Sequence, residues 1–148
     1  MMLIRDVMTK SPHTIGLRLS LAEAGSMMKK FKIRHLPVLE GGTLVGMLSD
    51  RDVQLISSMS DIDPHCLLVE EAMSQAPWTV SPETPVAEVA RTMATRKLGS
   101  AVVVDANDKV VGVFTTIDGM RVLADALDGM QALNAALDVG SAKKAKRV

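Results

Sequence analysis

The stretch Gly46-Met47-Leu48-Ser49-Asp50-Arg51-Asp52 returns in altered form as Gly112-Val113-Phe114-Thr115-Thr116-Ile117-Asp118. In both copies a glycine sits in an apolar run, a hydroxyl residue follows three positions later, and an aspartate three beyond that. The two copies are 66 residues apart. Working outward, Val38 lies over Val103 at an offset of 65, as do Met8 over Met73, Pro12 over Pro77, Thr14 over Thr79, Ile15 over Val80, Glu23 over Glu88 and Met28 over Met93. The extra residue falls between Glu40-Gly41-Gly42-Thr43 and Asp105-Ala106-Asn107-Asp108-Lys109, where turn chemistry makes a change of length cheap. A duplication of this extent sets the architecture before any single element is assigned.

Each copy reads alike. A short amphipathic piece, Ile4–Met8 or Val69–Met73, leads to a proline-containing turn and a brief β-prone stretch, His13-Thr14-Ile15 or Trp78-Thr79-Val80. A helix follows. Ser20 with Glu23 makes a capping box, and Thr84 before Pro85 makes a cap-then-proline start. Leu21, Ala24, Met28 and Phe31 share one helical face, as do Val86, Val89, Ala90 and Met93. Two apolar strands then form a hairpin, Leu36–Leu39 with Leu44–Leu48, and Ala101–Val104 with Val110–Phe114. A last helix starts at Ser49-Asp50 or Thr115-Thr116. The fold class expected is α/β (α+β): two pseudo-symmetric β-α-β-β-α repeats. One unit of about 60 residues buries too little surface alone, so the two pack sheet to sheet. The boundaries expected are 1–58 for the first repeat, 59–68 for a linker, 69–125 for the second repeat, and 126–148 for a helical extension with a basic tail.

Composition narrows the function. The chain has 148 residues, 47% hydrophobic, with 17 Lys+Arg against 17 Asp+Glu. A neutral chain lacks the cationic excess that phosphate backbones demand, and 2% aromatics supply no base-stacking platform, which argues against nucleic acid. No apolar run approaches a membrane span, the start lacks a signal-peptide core, and the one cysteine, Cys66, makes no intrachain disulfide. A cytoplasmic protein away from the membrane is the expectation. His13, His35 and His65 show no metal-ligand spacing, and there is no P-loop or nucleophile triad. No metal, no catalytic cofactor and no enzymatic activity are expected.

The ordered set Asp6-Val7-Met8, Arg34-His35-Leu36-Pro37-Val38 and the two Gly-to-Asp segments resembles the CBS domain family in its tandem form, a CBS pair or Bateman module. The resemblance spans about residues 1–125, with no catalytic domain attached. It implies a stand-alone regulatory module that binds an adenosyl ligand in clefts between the repeats. That ligand is AMP, ADP or ATP, with S-adenosylmethionine as a further candidate. It implies composite clefts, the Gly-to-Asp segment coming from one repeat and the strand start from the other. Thr14, Thr79 and Thr84 join the candidate binding residues on that basis.

The residues suit such a ligand. Asp52 and Asp118 stand one helical turn after Ser49 and Thr115, and a carboxylate there accepts from both hydroxyls of a ribose. First-turn aspartates also serve the helix dipole, and Ser49 and Thr115 also serve as caps. Gly46 and Gly112 lie inside strands, which suits close approach of a ligand or a bulge. Ile15, Val80, Met47, Val113, Ile33 and Leu98 offer an apolar slot for adenine, or plain core. Arg34 and His35 match the uncharged Gly99 and Ser100. The composite geometry turns the first pair toward the cleft carrying Asp118, as phosphate ligands. The cleft carrying Asp52 has Arg51 where the other has Ile117. The two clefts are therefore expected to differ.

Beyond Asp118, Met120, Leu123, Ala124, Leu127, Met130, Leu133 and Leu137 recur every three or four residues. Such a stripe buries against something, most simply a second chain, so a homodimer is expected. Gly140-Ser141 is expected to end the helix. Lys143, Lys144, Lys146 and Arg147 read as a solvated tail. The reading is a nucleotide sensor acting on an unidentified regulated protein. The competing one is a ligand-free interaction protein that works through its long helix.

Overall fold

A computed structural model describes residues 1–146, and side chains through Asp138. The side chains of the basic run Lys143, Lys144, Lys146 and Arg147 lie outside those so described. The chain divides into two compact units, Met1–Thr115 and the helical segment from Thr116 onward.

The first unit holds both repeats. Repeat 1 comprises α1 (Ile4–Val7), β1 (Thr9–Lys10), β2 (Ile15–Gly16), α2 (Leu21–Phe31), β3 (His35–Glu40), β4 (Thr43–Ser49) and α3 (Asp50–Ser57). Repeat 2 comprises α4 (Val69–Ala72), β5 (Ser74–Gln75), β6 (Thr79–Val80), α5 (Val86–Arg96), β7 (Ser100–Val104) and β8 (Val110–Thr115). The two hairpins and the helices fall where the hydrophobic patterning puts them.

The repeats exchange edges. One sheet runs β2-β3-β4-β5 and the other β1-β8-β7-β6. Thus β1 pairs antiparallel with β8 of the other repeat, Thr9 opposite Val113, while β5 pairs with β4, Gly46 opposite Gln75. The lead-in helices cross with them. The Ile4 amide donates to the Thr84 carbonyl at 2.8 Å, and the Val69 amide to the Leu19 carbonyl at 2.8 Å. Val69 is fully buried in the core of repeat 1 with Leu21, Ala24, Met28, Leu36, Val38 and Leu48. Ile4 is equally buried. The two-residue strands β1 and β5 carry no alternation that a sequence pattern can register.

Ser20 and Glu23 form the expected capping box, 3.1 Å in each direction. The N-cap of α5 is Pro85 rather than Thr84, whose hydroxyl lies 3.2 Å from Ser81 Oγ. The extended backbone of proline suits the cap position. Phe31 is expected on the buried face of α2, but it stays 37% exposed and stacks on His13 at 3.7 Å. Ala90 is likewise exposed. Matched residues of the two repeats adopt left-handed backbone: Ser11 and Ala76 (φ 47° and 50°), Lys32 and Lys97 (φ 54° and 55°).

The second unit is α6 (Thr116–Lys146), 31 residues long. It runs through Gly140-Ser141, the expected end. One interior glycine costs about 1 kcal/mol against alanine, too little by itself to end a helix of this length. No helix among the described residues is long and apolar enough to cross a membrane.

Candidate functional site

Strand β4 delivers Ser49 to the start of α3, where its side chain and that of Asp52 form a capping box. The Asp52 amide donates to Ser49 Oγ at 3.1 Å, and the Ser49 amide donates to Asp52 Oδ2 at 2.9 Å. Both residues are half-buried. The cap fixes the aspartate rotamer and uses one of the carboxylate's several acceptor positions, so capacity for a further donor remains. Capping and ligand binding, alternatives on sequence grounds, are compatible in this geometry.

Asp52 opens onto a cleft of about 300 Å³. Repeat 1 contributes His35, Met47, Ser49 and Asp52; repeat 2 contributes Ser74 to Trp78, Arg96 to Ser100, and Val102. The volume lies at the lower end of the range for small-molecule sites, about 300–1,000 Å³. The wall from repeat 2 is built from two matched features. One is the β5–β6 connection, turned by Ala76. The other is the end of α5, where left-handed Lys97 closes the helix with its amide on the Met93 carbonyl. The Trp78 carbonyl accepts from the Val102 amide at 3.0 Å, which ties the first to the sheet. The Arg96 guanidinium stands 5.9 Å from the centre of the Trp78 ring. The cleft therefore holds a carboxylate from one repeat, two cations from the other and an indole.

Of the candidate binding residues, His35, Met47, Ser49, Asp52, Leu98, Gly99 and Ser100 line this cleft. Ile15, Val80 and Val113 are buried at 3%, 8% and 4% and lie off it. Ile33 packs against the core of repeat 1. Thr14, Thr79 and Thr84 also fall outside the lining. Two expectations change. His35, assigned to the cleft carrying Asp118, lines the one carrying Asp52, because β3 pairs His35 directly opposite Ser49. Its Nε2 lies 3.3 Å from where a Cβ on Gly99 would stand. Arg34, expected at the other cleft, is exposed and off this lining, and its carbonyl accepts from the Asp50 amide at 2.7 Å. Arg51, expected to serve Asp52's ligand, is also exposed and off the lining. Adjacent helical residues point about 100° apart. Thr115 ends β8, Ile117 is 46% exposed, and Asp118 is buried with Arg121 Nη1 3.6 Å from Oδ1.

Ser74, Gln75, Ala76, Pro77, Arg96, Lys97 and Val102 also line the cleft and carry no site signature in the sequence. Trp78 reads there only as part of the β-prone stretch. The strand exchange brings them in. The signal available was the αL-prone end of each first long helix, visible only once Lys32 and Lys97 are matched by the repeat.

The register of each hairpin slips beside its glycine, between Val38 and Leu39 opposite Gly46 and between Val103 and Val104 opposite Gly112, as the bulge expectation has it, and close packing adds a second reason. A Cβ on Gly46 would collide with Met73 Sδ and come within 2.9 Å of the Ser74 carbonyl oxygen; one on Gly112 would collide with Met8 Sδ. The close approach is made by the exchanged lead-in segments.

Two β-α-β-β-α units that trade edge strands and share a seam cleft define a tandem-repeat pair. The chain belongs to the CBS domain family, whose model matches residues 4–56 and 69–125. It is 31% identical over 107 residues to the CBS domain-containing protein YhcV of Bacillus subtilis, covering 72% of this chain and 76% of that protein. It is 35% identical over 116 residues to an inosine-5'-monophosphate dehydrogenase of Korarchaeum cryptofilum; that is 78% of this chain but only 22% of the enzyme. Among solved structures, the CBS domain pair of protein MJ0100, in complex with 5'-methylthioadenosine and S-adenosyl-L-methionine, superposes with a TM-score of 0.77 at 28% identity. It covers 84% of this chain and 98% of that one. CBSX2 in complex with AMP superposes with a TM-score of 0.70 at 26% identity, covering 84% and 97%.

Proposed function

We propose that this chain is a regulatory CBS pair that takes an adenosyl ligand in the cleft beside Asp52 and passes its occupancy to a partner protein. The observation that carries this reading is the composition of that cleft. A carboxylate held by the α3 cap suits a ribose diol, the Trp78 indole and Met47 suit a purine face, and Arg96 with Lys97 suits a phosphate or carboxylate. The adenosyl ligands in the related MJ0100 and CBSX2 structures support the same class. Because the walls come from both repeats, a ligand with different affinity for two arrangements of the seam shifts the population between them. That is sensing without catalysis.

Calorimetric titration with AMP, ADP, ATP, S-adenosylmethionine and 5'-methylthioadenosine tests the reading. Saturable binding of at least one, lost in Asp52→Ala, is expected. Absence of binding by all five removes the sensor and leaves an interaction protein.

A further inference from the structure

The helix α6 carries an apolar stripe that the chain itself leaves uncovered. Met120, Leu123, Leu127, Met130, Leu133 and Leu137 are all at least half exposed, from 50% to 61%. Their phase is more specific than amphipathy. Met120, Leu123, Leu127, Met130 and Leu137 follow a spacing of three, four, three and seven, the a and d positions of a heptad. The sixth such position is Asn134, also exposed. Seven-residue phasing favours a left-handed supercoil with a partner helix over the broader face that packs on a globular core.

We propose that α6 forms a parallel two-stranded coiled coil with α6 of a second copy of this chain, in register, with Asn134 facing Asn134. Three observations argue for a second copy in that arrangement. The area suffices: covering the stripe from both helices removes about 1,000–1,200 Å² from water, the threshold for a specific interface. The charges allow it, because Arg121, Asp125 and Asp128 fall at outer heptad positions while the seam is flanked by Ala124, Ala126, Gln131, Leu133 and Asp138, the last facing Leu133 of the other copy, so two identical helices bring no like charges together. Asn134 selects direction. In a parallel pair each a position faces its own copy, so the two amides hydrogen-bond to each other. In an antiparallel pair a faces d, and Asn134 would be buried against Leu123, Met130 or Leu137 with its donors and acceptor unsatisfied. The proposal is independent of the ligand reading.

Sedimentation of the full chain tests it. A dimer with a dissociation constant in the micromolar range or below is expected. Leu127→Asp and Met130→Asp, each alone, weaken it by about 100-fold or more, because a carboxylate enters an apolar seam. Both sites are exposed in the single chain, and an unchanged near-ultraviolet dichroism of Trp78 verifies the fold. Asn134→Leu retains association but yields mixed oligomers in place of a single dimer. In a Cys66→Ser background, Leu123→Cys gives an oxidised covalent dimer if the helices are parallel. A monomer at every concentration, a dimer indifferent to both Asp substitutions, or a dimer that fails to cross-link through position 123 overturns the proposal. Titration of Leu127→Asp with AMP reports the cleft separately, so the failure of either reading is recognised on its own.

Discussion

The sulfur of Met73 fills the space where a Cβ on Gly46 would stand, and Met8 holds the same relation to Gly112. Each methionine closes a lead-in helix of one repeat, and each glycine lies in a hairpin strand of the other. A pair of residues 27 apart in one case (46 to 73) and 104 apart in the other (8 to 112) thus does one job twice. The missing side chain lets the exchanged segment lie close enough to hydrogen-bond to the strand.

Gly46→Ala and Gly112→Ala should therefore both destabilise the fold, and unequally. At Gly46 a backbone oxygen, that of Ser74, also stands within 2.9 Å of the new methyl group, whereas the three atoms nearest a Cβ on Gly112 all belong to the flexible Met8 side chain. Overpacking of this kind costs about 1–3 kcal/mol. Thermal melts should place Gly46→Ala at the upper end and Gly112→Ala at the lower. Met8→Ala should recover part of the Gly112→Ala loss in a double-mutant cycle; strict additivity would show that the two residues do not meet.

The Ser49–Asp52 box separates stability from binding. Ser49→Ala removes a cap worth about 1 kcal/mol and should lower the melting temperature. Asp52→Asn keeps shape but removes the charge that strengthens a bond to a ribose hydroxyl, worth about 1.5–3 kcal/mol, so adenosyl-ligand affinity should fall about 10- to 150-fold. Equal affinity for AMP in Asp52→Asn and the unmodified protein would remove Asp52 from the site.

Trp78 is the only tryptophan, so its emission reports the cleft directly. A saturable change on addition of the bound ligand is expected, with the same midpoint as calorimetry. Arg96→Ala should weaken AMP about 10-fold or more, the worth of a charged hydrogen bond, and spare 5'-methylthioadenosine, which has no phosphate. A loss equal for both ligands would mean that Arg96 acts through the Trp78 ring instead.

Lys32 and Lys97 sit in the left-handed region at matched helix ends. Glycine adopts that backbone without the steric cost a Cβ imposes, so Lys32→Gly should stabilise by about 0.5–1 kcal/mol. Lys97→Gly should stabilise similarly and also weaken phosphorylated ligands, because only Lys97 lines the cleft beside Asp52. Chemical denaturation and titration of the same two proteins check both halves.

What could be read in advance follows from range. The hairpins β3–β4 and β7–β8, the Ser20 box and the faces of α2 and α5 rest on spacings of two to seven residues, which periodicity reports. The strands β1 and β5 are two residues long and are stabilised by pairing with the other repeat, so nothing local marks them. The same applies to the site. Ser49 and Asp52 are legible because a helix start has a chemical signature. Arg96 and Lys97 reach the cleft only through a helix end whose partner wall is assembled by the exchange. The expected composite cleft turns His35 across the seam, but antiparallel pairing with Ser49 keeps it beside its own repeat's aspartate.

The traded strands also set an order of events on the ribosome. The sheet built on β3 and β4 stays open at one edge until Ser74 and Gln75 have emerged, and Thr9 and Lys10 wait with no mate until Val113 is made. For most of its synthesis the nascent chain carries an unclaimed N-terminal segment, and native closure joins residues about a hundred positions apart, a topology that folds slowly. A gene cut between the repeats would release two halves, each lacking an edge that only the other can supply. Their spontaneous reassociation when mixed is the behaviour this architecture demands.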